Sequence, residues 1–197
     1  MFPMLTPKAG TQSGRRAEAV STLANKAQAI RIHQTGGPEV MRFEEIALAP
    51  PGSGEVRLRH SAIGLNFIDV YGRTGLYVMP LPGVLGREAA GVVEALGPKV
   101  RGLRKGDRVA YVDSKPGSYC TQRNVAAGLL VKLPRSISDE IAAAVMLKGL
   151  TAHYLLRRSY RVQRGDWIVV HAAAGGDRKS TRLNSSHGGI SRMPSSA

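Results

Sequence analysis

Along much of the chain apolar and polar residues alternate with a spacing of two, the period of an extended strand, and the alternation stops at glycine and proline. It is clearest over residues 55–62: Val56, Leu58, His60 and Ala62 share one face, and Glu55, Arg57, Arg59 and Ser61 the other, which predicts a half-buried strand. His60 then sits at a core edge and is not a ligand. Residues 29–33 and 41–46 predict a hairpin around Gly36-Gly37-Pro38. Further strands are predicted at 89–96, 107–112, 118–125 and 129–133, a density that points to a small barrel.

After Pro134 the pattern changes. Ser138 can cap a helix with Asp139 and Glu140 in its first turn and the run 141–146 behind them, and a second helix is predicted over 150–160. Trp167-Ile168-Val169-Val170 is continuously apolar, as suits a strand buried on both faces of a parallel sheet. It runs into Ala172-Ala173-Ala174-Gly175-Gly176.

Composition narrows the picture. An apolar share of 43% in 197 residues is that of a globular protein, and no apolar run is long enough to span a bilayer. A single cysteine, Cys120, excludes an intrachain disulfide and any multi-cysteine zinc site, and suits a reducing cytoplasm. The net charge of +14 invites a nucleic-acid reading, but +3 lies in residues 1–27 and +3 in residues 177–197. The remaining +8 is mostly interspersed with acids, apart from a cluster of Arg157, Arg158, Arg161 and Arg164. That cluster reads as a solvated helix end or as a patch steering anionic cofactor phosphates. Residues 1–27 show no periodic pattern and are set outside the fold, as a mistranslated extension or a transit-like leader. Residues 177–197 have neither helical stripe nor strand alternation and read as a non-native tail, with a frameshift as the alternative.

Six segments in order, TGGPEV at 35–40, GLNFIDVY at 64–71, LGREAAGVV at 85–93, then GDRVAY, LKGLTAHYLL and HAAAGG, carry a resemblance. Over residues 28–176 the chain resembles zinc-free NADPH:quinone oxidoreductases of the zeta-crystallin type, in the medium-chain dehydrogenase/reductase superfamily. The resemblance implies a mixed α/β (α+β) protein with a GroES-like β-barrel catalytic domain over 28–150. Only the first strand and turn of a Rossmann cofactor domain follow, over 151–176. The chain is thus expected to be truncated and inactive by itself, its parent a homodimer without nucleic-acid or membrane partners.

In the zinc-dependent relatives a cysteine follows the glycine matching Gly64, and a histidine precedes the glutamate matching Glu88. Here Asn66 and Arg87 stand in those places, and neither an amide nor a guanidinium is a normal zinc ligand, so no catalytic metal is expected. A quinone is electrophilic by itself, and positioning against the nicotinamide suffices. By resemblance Asn66 hydrogen-bonds beside the nicotinamide, and Phe67, Ile68, Asp69, Val70 and Tyr71 lie along the cofactor. Tyr71 and Tyr77 line the acceptor pocket, where a phenol can stack on a ring or donate a proton. Lys148, Thr151 and Tyr154 are spaced to turn toward one cleft, with Lys148 meeting phosphate or ribose oxygens. Ala174, Gly175 and Gly176 begin a pyrophosphate turn, but Asp177 and Arg178 follow where the family continues with valine and glycine. The choice of NADPH over NADH comes from the resemblance alone. Alternatives are an enoyl or enone reductase of the same superfamily and a basic nucleic-acid-binding protein.

Overall fold

The computed structural model describes residues 25–169. Among them the alternating segments form antiparallel strands. β1 (Lys26–Ile32) and β2 (Met41–Ala47) make the predicted hairpin, paired from Lys26 opposite Ala47 to Ile32 opposite Met41, but the strand starts inside the residues 1–27 set outside the fold: Ala27 pairs with Ile46 and is buried. A short 3-10 turn at Pro38–Val40 joins them, and the proline leads it because its missing N–H has no partner to lose there. β4 (Gly83–Val84) pairs with the other edge of β1.

The second sheet consists of β3 (Glu55–Gly64), β5 (Glu88–Leu96), β6 (Arg108–Val112), β7 (Gln122–Ala126) and β8 (Val131–Lys132), in the order β7-β3-β5-β6-β8. β3 contains the strand predicted over 55–62, but Arg57, assigned to its outer face, is buried. Its guanidinium donates to Asn124 Oδ1 and to the Ala49 carbonyl, both at 2.6 Å. Hydrogen bonding lets a strand tuck in a residue that the hydropathy pattern places outside. The strand predicted over 118–125 splits. Its first part crosses between the sheets: Ile30 N–H donates to the Tyr119 carbonyl, Thr121 N–H to the Gln28 carbonyl and His60 N–H to the Thr121 carbonyl, at 2.8 to 2.9 Å. Its second part is β7. The two sheets thereby form a barrel-like enclosure.

The main core is Val56, Leu58, Ala89, Val93, Val109, Tyr111 and Val125. A second cluster sets Ala90 and Ala110 of the sheet against Ala142 and Ala143 of a helix, Asp139–His153. Alanine on both sides lets helix and sheet backbones approach closely. Ser138 caps that helix as predicted, its Oγ accepting from the Ile141 N–H at 3.3 Å. The two helices expected from the sequence are one, which continues into a π-helical turn at Tyr154–Ser159. A lone glycine at 149 costs a helix ~1 kcal/mol, and burial of Ala152 and Leu156 beyond it outweighs that.

Trp167 to Val169 do not form the expected strand. Trp167 is 85% and Val169 82% exposed, since no parallel strand stands beside them among the described residues. Val170 and the turn with Ala174, Gly175 and Gly176 lie outside the described residues. No helix among the described residues is long and apolar enough to cross a membrane.

Candidate active site

The motif 64–71 bends from strand to helix. β3 ends at Gly64, and α1 (Phe67–Thr74) begins after Asn66, whose backbone N–H donates to Asp69 Oδ2 at 3.1 Å, one half of a capping box. Gly75, at φ 87°, closes the helix in the left-handed conformation that glycine adopts without strain. The asparagine followed three residues later by an acid, with glycine after the last turn, was the sequence signal for a helix that the strand-weighted reading did not predict.

Asn66 does not spend its side chain on that cap. Its Nδ2 donates to Glu88 Oε1 at 2.7 Å, and its Oδ1 accepts from Lys148 Nζ at 2.7 Å. Glu88, the first residue of β5, is fully buried, and its Oε2 accepts from the Leu147 N–H at 2.6 Å. Lys148 Nζ lies 3.2 Å from Glu88 Oε1 and 3.3 Å from the Leu65 carbonyl. For the second helix, α2 (Asp139–His153), to deliver Leu147 and Lys148 here, β3 must come very close. A Cβ at Gly64 would sit 2.3 Å from the Ala143 carbonyl oxygen and 2.4 Å from Glu88 Oε1. In the sequence Glu88 serves only to place Arg87 and is given no role of its own. Its signal was a carboxylate at the head of the apolar run AAGVV, a place where an acid persists only if paired.

Asp69 turns inward as well. It is buried, and Oδ2 accepts from the Tyr119 hydroxyl at 2.9 Å, while Oδ1 has no hydrogen-bond partner. Burial holds its carboxyl above the usual range, against the opposing hydrogen bonds from Tyr119 and the Asn66 N–H. Burial, and then the Asp69 charge, push the Tyr119 phenol up. The Asp69 side chain thus anchors α1 to the barrel.

Outward from the cluster lies an aromatic series. Phe67 meets Tyr71 edge-on at 5.2 Å between centroids, and Tyr71 meets Tyr77 at 5.3 Å. Phe67 is 70% and Tyr77 47% exposed, and the Tyr77 N–H donates to the Tyr71 carbonyl. Ile68 and Val70 are half-buried. Of the residues predicted on α2, Lys148 joins the polar cluster, but Thr151 returns its hydroxyl to the Leu147 carbonyl at 2.8 Å and Tyr154 is exposed. The structure therefore joins Asn66 to Lys148, and Phe67 to Tyr71 and Tyr71 to Tyr77, as two groups that adjoin where Phe67 follows Asn66 in the chain. Arg87 donates to the Ser114 carbonyl.

On the other side of Leu65 an apolar groove of about 500 Å³ runs between the sheets, lined by Ala29, Phe43, His60, Ile63, Leu65 and Tyr119 among others. His60 offers it no free polar group. Its Nδ1 is 2.8 Å from the Cys120 carbonyl, which can only accept, so Nδ1 carries the proton and Nε2 accepts from the Tyr111 hydroxyl at 3.1 Å. Burial lowers the imidazole to about 4, so it is neutral near pH 7.

A β-enclosure closed by one helix, with a polar cluster where strand, helix and sheet edge meet, defines the class. The chain belongs to the alcohol dehydrogenase GroES-like domain family, whose model matches residues 52–162. It is 52% identical over 151 residues to a quinone oxidoreductase of Pseudomonas aeruginosa, covering 76% of this chain and 46% of that protein. It is 44% identical to a 2-haloacrylate reductase of a Burkholderia species, over 74% of this chain and 45% of that one. The crystal structure of Escherichia coli quinone oxidoreductase complexed with NADPH superposes with a TM-score of 0.80 at 43% identity, covering 83% of this chain and 50% of that one. The chain spans about half the length of the curated relatives it matches.

Proposed function

We propose that this chain supplies the catalytic-domain part of a reductase that transfers hydride from NADPH to quinones without a metal. The observation that carries the reading is the cluster of Asn66, Glu88 and Lys148 next to the aromatic series of exposed Phe67, half-buried Tyr71 and exposed Tyr77. The 52% identity to a quinone oxidoreductase supports the choice of acceptor.

The donor set fits the nicotinamide end of the cofactor. NADPH, when bound, supplies the hydride. Asn66 offers a neutral amide with spare hydrogen-bonding capacity, and Phe67 gives an apolar surface at the head of α1. Tyr71 and Tyr77 present ring edges and phenol hydroxyls to a planar acceptor, and either hydroxyl can donate the proton that a reduced quinone oxygen takes up. Residues for the pyrophosphate, Ala174, Gly175 and Gly176, belong to the same reading. At the two positions where zinc relatives carry ligands, Asn66 is held by a carboxylate and an ammonium, and Arg87 brings a cation that cannot ligate one. Residues 28–150 would form the catalytic domain and 151–176 the start of the cofactor domain. A cytoplasmic homodimer is the expected setting. The 2-haloacrylate reductase relative favours a second reading, reduction of activated alkenes by the same site.

The test follows NADPH consumption by the complete protein with 1,4-naphthoquinone and with 2-cyclohexenone as acceptors. Turnover with the quinone is expected to dominate and to fall at least about a hundredfold in Asn66→Ala, the loss of a well-placed polar group beside the reacting ring. Turnover of the enone alone establishes the second reading, and turnover of neither overturns both.

A further inference from the structure

Three contacts in the cluster close on one another. Asn66 Nδ2 donates to Glu88 Oε1, Lys148 Nζ donates to the same oxygen, and Lys148 Nζ donates to Asn66 Oδ1, at 2.7, 3.2 and 2.7 Å. A flipped Asn66 amide would set its NH2 against an ammonium and its carbonyl against a carboxylate, so charge fixes one orientation. Lys148 has three donors, and Asn66 Oδ1, Glu88 Oε1 and the Leu65 carbonyl are three acceptors. Glu88 has no solvent access, and the Lys148 side chain is only 23% exposed. Neither partner is replaced by water without leaving a charge buried.

We propose that Glu88 and Lys148 are a positioning pair for Asn66: together they lock its amide in one orientation, so that Asn66, and not the ammonium of Lys148, meets the ligand. The locked amide keeps one N–H and one lone pair. That matches a neutral group able both to accept and to donate, a hydroxyl or a primary carboxamide. A phosphate oxygen, which accepts only and is charged, finds no spare donor on Lys148 and no net charge in the ion pair. The identity of the ligand rests on the reductase reading above, whereas the locked amide does not. This replaces the role expected of Lys148 from the sequence, direct contact with phosphate or ribose oxygens.

The experiment is side-chain amide NMR on the isotope-labelled 197-residue chain, with the Asn66 signal assigned through Asn66→Ala. In the unsubstituted chain the Asn66 Nδ2 proton donated to Glu88 is expected to exchange with solvent at least about tenfold more slowly than that of an exposed asparagine, as for a charge-assisted hydrogen bond. Glu88→Gln, which takes the charge off the acceptor of that proton, and Lys148→Met, which frees Asn66 Oδ1 and lets the amide turn, are each expected to reduce that protection severalfold while the backbone spectrum keeps its dispersion. If Glu88→Gln does not fold, the partly exposed Lys148 decides through Lys148→Met. Exchange at the free rate in the unsubstituted chain, or unchanged protection in the folded variants, overturns the proposal. Added inorganic pyrophosphate is expected to leave the Lys148 Nζ and Asn66 signals in place, and a saturating shift of Lys148 overturns it equally. If the complete protein reduces neither acceptor but the amide follows the variants, the reductase reading fails and the positioning pair stands.

Discussion

His60 shows how one side chain can be read correctly in place and still acquire its properties elsewhere. The alternation of β3 puts it at the edge of the core, but its neutrality comes from the Cys120 carbonyl, the Tyr111 hydroxyl and burial, which lower its pKa to about 4. An unfolded chain takes up this proton near pH 6.5, the folded one only near 4. Between those values the unfolded state binds more protons, so stability is full above about pH 6.5 and falls as the pH drops toward 4, by up to ~3 kcal/mol. Asp69 acts in the opposite sense, because a carboxyl held above its usual range favours the folded state as it protonates. Urea denaturation at pH 7.5 and pH 5 is expected to show a loss of stability on acidification that is smaller in His60→Gln. Equal losses in the two proteins would remove His60 as its source.

At the scale of elements, the decisive contact is the crossing of β3, β5 and α2 at Gly64. There the neighbours of an added Cβ are a backbone carbonyl and the buried Glu88 carboxylate, neither of which can give way. Gly64→Ala is therefore expected to lower unfolding stability by about 1–3 kcal/mol or more and to disturb the Asn66 cluster. Gly128, with nothing within 4 Å of its Cβ position, serves as the control, and Gly128→Ala is expected to lie within ~0.5 kcal/mol of the unsubstituted chain. Matching effects at the two sites in chemical denaturation would contradict the close packing described. The merging of two expected helices into α2 belongs to this scale too. Gly149 is a real interruption of helical propensity, and only the sheet beneath explains why the helix passes through it.

Over the whole molecule, apolar side chains gather outside the core. On α2 and the turn after it Ile141, Val145, Leu150 and Leu155 are 57, 45, 50 and 52% exposed, and Trp167 and Val169 are more open still. At ~25 cal/mol per Å² of apolar area, a few hundred Å² of such surface is worth several kcal/mol when covered, enough to drive association of one copy with another. The chain is expected to self-associate in sedimentation velocity as concentration rises. Val145→Glu combined with Leu150→Lys is expected to shift it toward monomer while leaving the melt of the barrel nearly unchanged. Monomers at every concentration would show that this surface is too dispersed to act as a patch.

What the sequence determined by itself is whatever depends on local period and residue type. The β1–β2 hairpin, the strands around Val56, Val93 and Val109 and the Ser138 cap all follow from neighbours a few positions apart. Six short motifs were likewise enough to point to the family, because their order needs no coordinates. The tertiary structure alone decided what depends on residues far apart in the chain. Arg57 is buried because Asn124 and Ala49 meet its guanidinium, Asp69 turns inward because Tyr119 reaches it, and Lys148 is occupied because Glu88 lies 60 residues away yet 3.2 Å from its ammonium. A buried charge is stable only beside its partner, and which partner arrives is settled by the approach of α2 to the sheet rather than by the pattern along either segment.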